Sequence, residues 1–353
     1  MKLQAFILRT VGVRVLSAAA ILLAILQILD LLEVTTDILD RGLGVGGVAY
    51  YAALRFPRLI EQVAPLSVLA GGLFAFAQLA RENAVTTLRA VGVSAYRLVW
   101  MAAPIAVAVM LVQALATEVV APRTDPALDA WWRATTPASK KVVSDPKPFR
   151  VGADTVIAKA AQADGRSLEG VTIYRRDSQG ALSSRIEAPS AAYRNGAWEL
   201  HRPTIVRFSG DEALTSSAAQ MAWGSLLKPM DVQTLLSPTQ APSGTSARRA
   251  LSGGGAERPQ SYYAVRLQRA FSGPVGILVM LLLTAPVALA NFRTREGVVL
   301  TAGGLGAGLA FMVMDGMLGA LGESAALSAA LAAWTAPAVF AALAGFVLLK
   351  MEG

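Results

Sequence analysis

Leu79-Ala80-Arg81-Glu82-Asn83-Ala84-Val85-Thr86-Thr87-Leu88-Arg89-Ala90-Val91-Gly92-Val93-Ser94-Ala95-Tyr96-Arg97-Leu98 separates two long apolar stretches of the chain. The stretch reads as the end of one membrane helix followed by a short amphipathic helix. Gly92 suits the left-handed backbone that stops a helix, and Ser94 can cap the next one before the chain turns apolar again. Such a piece is either an ordinary loop with arginines or a stiff charged lever on which a separate motor pulls. Both readings require long apolar helices on either side, so the stretch sets the fold class.

Working outward, the 353 residues are 54% hydrophobic and 16% charged. Six segments approach the ~20 residues that cross a bilayer: 13–29, 63–79, 98–120, 270–290, 298–320 and 331–349. They fall three on each side of a polar middle. Lys2, Arg9 and Arg14 flank the first apolar run as in a signal peptide. No small-x-small cleavage pattern follows, so the run is read as a retained anchor. With the N-terminus cytoplasmic, that side holds Lys2, Arg9, Arg14, Arg81, Arg89, Arg97, Arg293, Arg295 and Lys350 in its short loops. The short outer loops hold Arg41, Arg55 and Arg58 beside Asp37, Asp40 and Glu323. By the positive-inside rule both termini are cytoplasmic and the middle segment is extracytoplasmic.

Several classes of function are excluded. The chain has no cysteine, which removes thiolate metal sites and cysteine nucleophiles. The single histidine, His201, makes no zinc site alone and stands in a strand-like run. The net charge of +8 is spread over loops and the middle domain without a basic tract interleaved with aromatics, so nucleic acid is not an expected partner and anionic lipid is the more natural one. Gly42, Gly44 and Gly47 match G-x-G-x-x-G, but no strand precedes them and no βαβ unit follows. No Walker A sequence occurs, so no catalytic residue, cofactor or metal site is expected in this chain, and ATP and magnesium would be bound by a partner subunit.

The middle of the chain changes period. Short alternating runs at 149–151, 154–159, 168–175, 183–186, 191–194, 197–201 and 205–208 are separated by turn residues, as in an antiparallel sandwich or jelly roll. Asn195-Gly196 suits a type I′ hairpin, and Asp164-Gly165 and Gln179-Gly180 mark further turns. A tract at 237–260, rich in proline and glycine, reads as a flexible connector. The expected organisation is helices within 1–121, with the lever at about 81–92; an inserted antiparallel β-jelly-roll domain and linker at 122–262; and helices within 263–353.

Some polar and small residues in the spans stand out. Gly304 and Gly308, with Gly303 and Ala307, give small residues at four-residue spacing, suited to packing within the subunit or to a seam between subunits. Asp315 is an acid within a span, facing protein, a cavity or water at the helix end. Asp30, Glu33, Asp37, Asp40 and Arg41 follow the first span. Arg266 and Arg269, three apart, share a helix face ahead of the fourth and either meet anionic groups or form ion pairs. Trp131-Trp132-Arg133 fits an interfacial aromatic belt.

The order of these parts resembles the LptF/LptG family of lipopolysaccharide export permeases over almost the whole chain. Local matches accompany it: Phe56-Pro57-Arg58-Leu59-Ile60-Glu61-Gln62-Val63-Ala64-Pro65 onward to Gly71, the lever ending Leu88-Arg89-Ala90-Val91-Gly92-Val93-Ser94, Val119-Val120-Ala121-Pro122, Gly273-Pro274 and Trp334-Thr335-Ala336-Pro337. The reading leans to the LptG branch.

The resemblance implies a non-catalytic permease of a bacterial inner-membrane ABC exporter. Its partners would be a paralogous permease, a cytoplasmic ATPase dimer, a periplasmic bridge protein of jelly-roll type, and lipopolysaccharide. The lever would be the coupling helix, with Val85, Leu88 and Val91 as its contact face and Arg81, Glu82 and Arg89 as polar contacts. Family members commonly carry an acid eight residues before the helix-ending glycine, here Gly92; the matching position is Ala84. LptG relatives often carry a lysine at the outer end of the first span, where this chain has Leu31-Leu32-Glu33, with Arg41 nearby. The first and fifth spans would gate a lipid cavity. Tyr193, Trp198, Ile205 and Phe208 would line the acyl-chain path through the β-domain. The alternatives are a permease for another lipid or lipoprotein, or a non-transporting anchor whose outer domain binds envelope partners.

Overall fold

The computed structural model describes residues 2–90, 94–136, 147–160, 165–177, 181–209, 212–235, 242–290 and 296–352. The chain forms two compact units, Met1–Thr124 with Gln268–Gly353, and Asp125–Leu267. Among the described residues six helices are long and apolar enough to cross a membrane, with an antiparallel sheet inserted between the third and fourth.

In the first unit α1 (Lys2–Asp40) and α2 (Gly44–Arg81) form a helical hairpin. Gly42 (φ 73) and Gly44 (φ 58) take the left-handed backbone in its turn, while the amides of Gly42 and Leu43 bond to the carbonyls of Leu39 and Ile38. The glycine-rich 42–47 run thus serves a helix turn, in keeping with its unsuitable context for nucleotide. A Cβ on Gly71 of α2 would fall into the backbone of Val15 of α1, so this glycine sets how closely the two helices pack. α3 (Ala84–Ala90) follows, then α4 (Ala95–Leu115), a π-helical turn (Ala116–Val120) and α5 (Ala121–Thr135).

The second unit holds β1 (Lys147–Val151), β2 (Asp154–Ala160), β3 (Ser167–Arg176), β4 (Leu182–Arg194), β5 (Ala197–His201), β6 (Thr204–Ser209), β7 (Glu212–Ser217) and β8 (Gln220–Trp223). All pairings are antiparallel. β4 changes partner along its length: Ser184–Glu187 pairs with β6, and Ser190–Arg194 with β5. Pro189, which has no amide to donate, lies at the switch. β5 and β6 are one ribbon interrupted at Arg202 (φ 47) and Pro203. The bonds Arg202 N to Ala219 O (2.8 Å) and Ala218 N to Pro203 O (3.1 Å) carry the ladder across the break.

The β4–β5 hairpin turns at Asn195 (φ 50) and Gly196 (φ 84), both left-handed as a type I′ turn requires. Two runs read separately, 183–186 and 191–194, belong to the single strand β4. β7 and β8 were not legible, because Glu212–Ser217 has no apolar alternation. Of the other turns, Asp164, Gln179 and Gly180 lie outside the described residues.

The expectation of a flexible connector at 237–260 is corrected for its described part. α6 (Pro229–Leu235) precedes it, and α7 (Gly244–Leu251) stands within it, capped by Ser243 accepting from the Ser246 amide. Ala256 and Arg150 of β1 exchange backbone bonds of 2.7 and 2.6 Å. Glycine and proline here shape close turns against the sheet rather than slack chain. Returning to the first unit, α8 (Gln260–Ala288), α9 (Glu296–Glu323) and α10 (Ala329–Glu352) complete the bundle. Phe311 of α9 and Phe340 of α10 meet edge to face at 5.5 Å.

Candidate functional site

The lever is built by two local signals. α2 stops because Asn83 takes a left-handed backbone (φ 57), a role asparagine tolerates, with the Glu82 and Asn83 amides bonded to Gln78 O and Ala80 O. Gln78 Nε2 donates to Glu82 Oε1 at 2.6 Å. α4 starts where Ser94 Oγ accepts the Arg97 amide at 3.3 Å, as its position predicted. Between them the apolar face of α3 turns inward. Val85 is 5% exposed and belongs to the core cluster with Leu79, Leu98 and Val99, while Ala84 and Leu88 pack against that cluster.

The expectation that Val85 and Leu88 present an outward contact face is therefore corrected. Helical periodicity shows that an apolar face exists, not which neighbour it meets, and here the neighbour is the chain's own bundle. The outward residues are Arg81, Glu82, Asn83, Thr87 and Ala90. The side chain of Arg89, and Val91 and Gly92 altogether, lie outside the described residues.

The other charged residues singled out in the bundle are mostly tied within it. Asp30 of α1 accepts from Arg55 Nε of α2 at 3.1 Å, and only 15% of its side chain is exposed. Glu33 is exposed, and Arg41 is half-buried beside the α1–α2 turn. Arg269 of α8 pairs with the Asp315 carboxylate of α9 and donates to the Asp315 carbonyl at 2.6 Å. A Cβ on Gly319 would meet that guanidinium at 2.7–2.9 Å, so the glycine leaves room for it. Arg266 stands instead over the Tyr262 ring, 5.6 Å from its centroid, with Arg258 over the same ring at 4.5 Å. Of the two arginines read as sharing a face, Arg269 is neutralised by Asp315.

Gly308 and Gly304 face α2. A Cβ at Gly308 would collide with Leu69, and one at Gly304 would meet Leu73 Cδ2 at 2.8 Å. Of the two readings left open by the sequence, these contacts support packing inside the subunit. Much of what remains outward on the bundle is apolar: Leu16, Ile28 and Leu32 of α1, and Val298, Val313 and Met317 of α9, are all more than half exposed.

In the sheet domain Trp198 is fully buried, and its Nε1 donates to Leu227 O at 2.9 Å. Tyr193 stands edge-on to it at 5.4 Å and Trp223 lies at 6.4 Å. Leu227, Val232 and Leu235 cover this cluster. A Cβ at Gly255 (φ 106) would come within 2.8 Å of both leucines, so only glycine fits that crossing. Asp231 holds the cover by accepting from the Lys228 amide (3.0 Å) and Arg249 Nη1 (3.1 Å). Burial pushes its carboxyl above the ordinary range, against the pull of the Lys228 amide and Arg249. Ile205 packs at the edge of the cluster, and Phe208 is 39% exposed. Of the four residues expected along an acyl-chain path, Trp198 is thus core and Phe208 accessible. The cover went unread in the sequence, although Val232 and Leu235 stand at helical spacing.

The model of the family described as lipopolysaccharide export system permease LptF/LptG matches residues 5–350 of this chain. No curated protein matches it.

Proposed function

This chain belongs to the LptF/LptG family of lipopolysaccharide export system permeases, and on that premise we propose that it is the LptG-type permease of an ATP-driven exporter that lifts lipopolysaccharide out of the outer leaflet of the inner membrane. The observation that carries this reading is the pair of lipid-soluble helix faces, α1 and α9, joined to a bundle that also holds a short helix between α2 and α4. The aliphatic faces of α1 and α9 suit a paralogous permease and the acyl chains between the two subunits. The positive-inside distribution supports a cytoplasmic α3 and a periplasmic sheet.

The ATPase dimer would grip the lever by Arg81 and Glu82 at the end of α2 and Thr87 of α3, while Val85 and Leu88 anchor α3 to the bundle so that a pull on it moves α2 and α4. ATP and magnesium belong to that partner. Lipid expelled from the cavity would pass to the sheet domain along the side bearing Phe208. The β7–β8 ribbon has one unpaired edge among the described strands, which suits strand addition by a bridge protein.

A photo-crosslinker tests the route at Phe208 rather than at Trp198, whose replacement would damage the core. In vesicles holding this chain with its partner permease and ATPase, an ATP-dependent crosslink to lipopolysaccharide is expected. An intact, hydrolysing complex that gives no crosslink moves the substrate to another lipid or lipoprotein. Failure to co-purify with any ATPase leaves only an anchor with an envelope-binding domain.

A further inference from the structure

The two helices that flank α3 in sequence each carry a backbone defect, and one side chain ties the defects together. In α2, Pro65 has no amide to give the carbonyl of Glu61, four residues back. That carbonyl is taken by Gln113 of α4, whose Nε2 donates to it at 3.2 Å. Gln113 is 7% exposed, and its Oε1 has no hydrogen-bond partner among the described residues. Directly above Gln113, α4 changes to the π-helical turn, where the Ala121 amide bonds to Ala116 O, five residues back. Thr117 Oγ1 bonds to Gln113 O at 3.0 Å. α2 packs against both α4 and this turn.

Proline positions and π turns are where helices bend. At ~1.5 Å of rise per residue, Pro65 lies about 25 Å from Glu82, and Gln113 about 28 Å from Ser94. The two ends of the bond, Glu61 at about 31 Å and Gln113 at about 28 Å, therefore stand at similar heights above the lever, and the π turn begins about 5 Å further along.

We propose that Glu61–Pro65 and Gln113–Val120 form a coupled hinge, with Gln113 as the positioning residue that makes the two helices bend as one when α3 moves. Below the hinge, α2 runs to the lever without a further proline and α4 carries only Pro104. Above it, the π turn can shift its bonding by one residue without breaking the helix, and α2 can tilt about Pro65 without losing a ladder bond that proline has already removed. The Gln113 bond keeps the Glu61 carbonyl, which Pro65 leaves without a donor, satisfied where an unpaired one is costly, and so holds the bend at one height. The inference rests on the permease reading for the origin of the motion.

The absence of cysteine allows a clean test. Val45→Cys on α2 above the hinge and Trp100→Cys on α4 below it place spin labels on exposed positions, in the complex with partner permease and ATPase. The distance between labels is expected to shift by several ångström between nucleotide-free and ATP-bound states. Pro65→Ala, which restores the amide and so strengthens the fold of α2, is expected to abolish the shift. It should also lower lipopolysaccharide released per ATP by roughly 5-fold or more, the lower end of a typical intersite coupling. Gln113→Leu is expected to broaden the distance distribution with the same loss.

The double variant Pro65→Ala/Gln113→Leu separates a hinge from a packing role. Its carbonyl is satisfied within α2, so it should be stable yet still lack the shift. A double variant with a full shift and full release per ATP would reduce Gln113 to packing and overturn the hinge, as would a shift absent from the labelled parent. A preserved shift in a parent complex that releases no lipopolysaccharide would overturn the substrate reading and leave the hinge standing.

Discussion

α1 and α2 lie against each other, yet they use apolar residues in opposite ways. The most apolar window of α1 has a mean hydropathy of 2.4 with 6% of it buried, whereas that of α2 has 1.8 with 67% buried. The more hydrophobic helix is the less buried one. In lipid an outward helix must be apolar all round, because nothing solvates a polar group there. An inward helix can carry Glu61, Pro65, Ser67, Gly71 and Gly72, because Gln113 takes the Glu61 carbonyl, Ser67 bonds back to Ala64, and neighbours pack into the space the glycines leave. The sheet domain follows the opposite rule, since water surrounds it. β4 alternates exposed and buried positions through its central Arg185–Pro189 run, and its buried residues join Trp198 and Leu200 in one core.

Substitutions can break or sharpen this contrast. The largest expected effect is in the water-surrounded core. Trp198→Ala should cost roughly 3–5 kcal/mol and strand the Leu227 carbonyl, read as protease sensitivity of the sheet domain in the full chain. A tryptophan that truncated without effect would mean the cluster is a lipid path after all. Next is the α1–α2 contact, where Gly71→Leu would drive a side chain into the Val15 backbone and cost about 3 kcal/mol or more. The thermal midpoint of the purified subunit measures it.

A smaller effect is expected at Asp231. Its raised carboxyl pKa means that the folded domain binds the proton more tightly than the unfolded chain does. Its contribution to stability is therefore full below the ordinary 3.8 and is lost as pH rises through the elevated value. Asp231→Asn should flatten that part of the pH profile of domain unfolding. It should also leave Arg249 without its acid. The smallest effect is on the lipid-facing helix: Leu16→Ala, at a position 69% exposed, should change the subunit's own stability by less than about 0.5 kcal/mol. It should weaken only pairing with the partner permease, seen as a loss of co-purification.

Legibility followed the range of each signal. The six spans were legible because a run of apolar residues long enough to cross a bilayer is a local property. The observed helices run past the apolar cores into water, as α1 does from Lys2 to Asp40. Ser94 and Asn195-Gly196 were legible because caps and tight turns are decided by a few neighbouring residues. Asn83 stops α2 at a position the sequence reading passed over, since asparagine in a left-handed turn is common but not obligatory. The acid following the first span was legible, but its partner Arg55 was not, because that pairing joins two helices across a turn.

The sequence by itself determined six apolar spans, an alternating polar insert and a short amphipathic lever, because hydropathy and period are summed over neighbours along the chain. Only the tertiary structure decided which way each face points. It turned Val85 and Leu88 toward the bundle, spent Gly304 and Gly308 on packing against α2, paired Arg269 with Asp315, and brought Gln113 to the carbonyl that Pro65 leaves without a donor. In each case the deciding contact joins residues on different helices, and no periodicity within one helix encodes its neighbour.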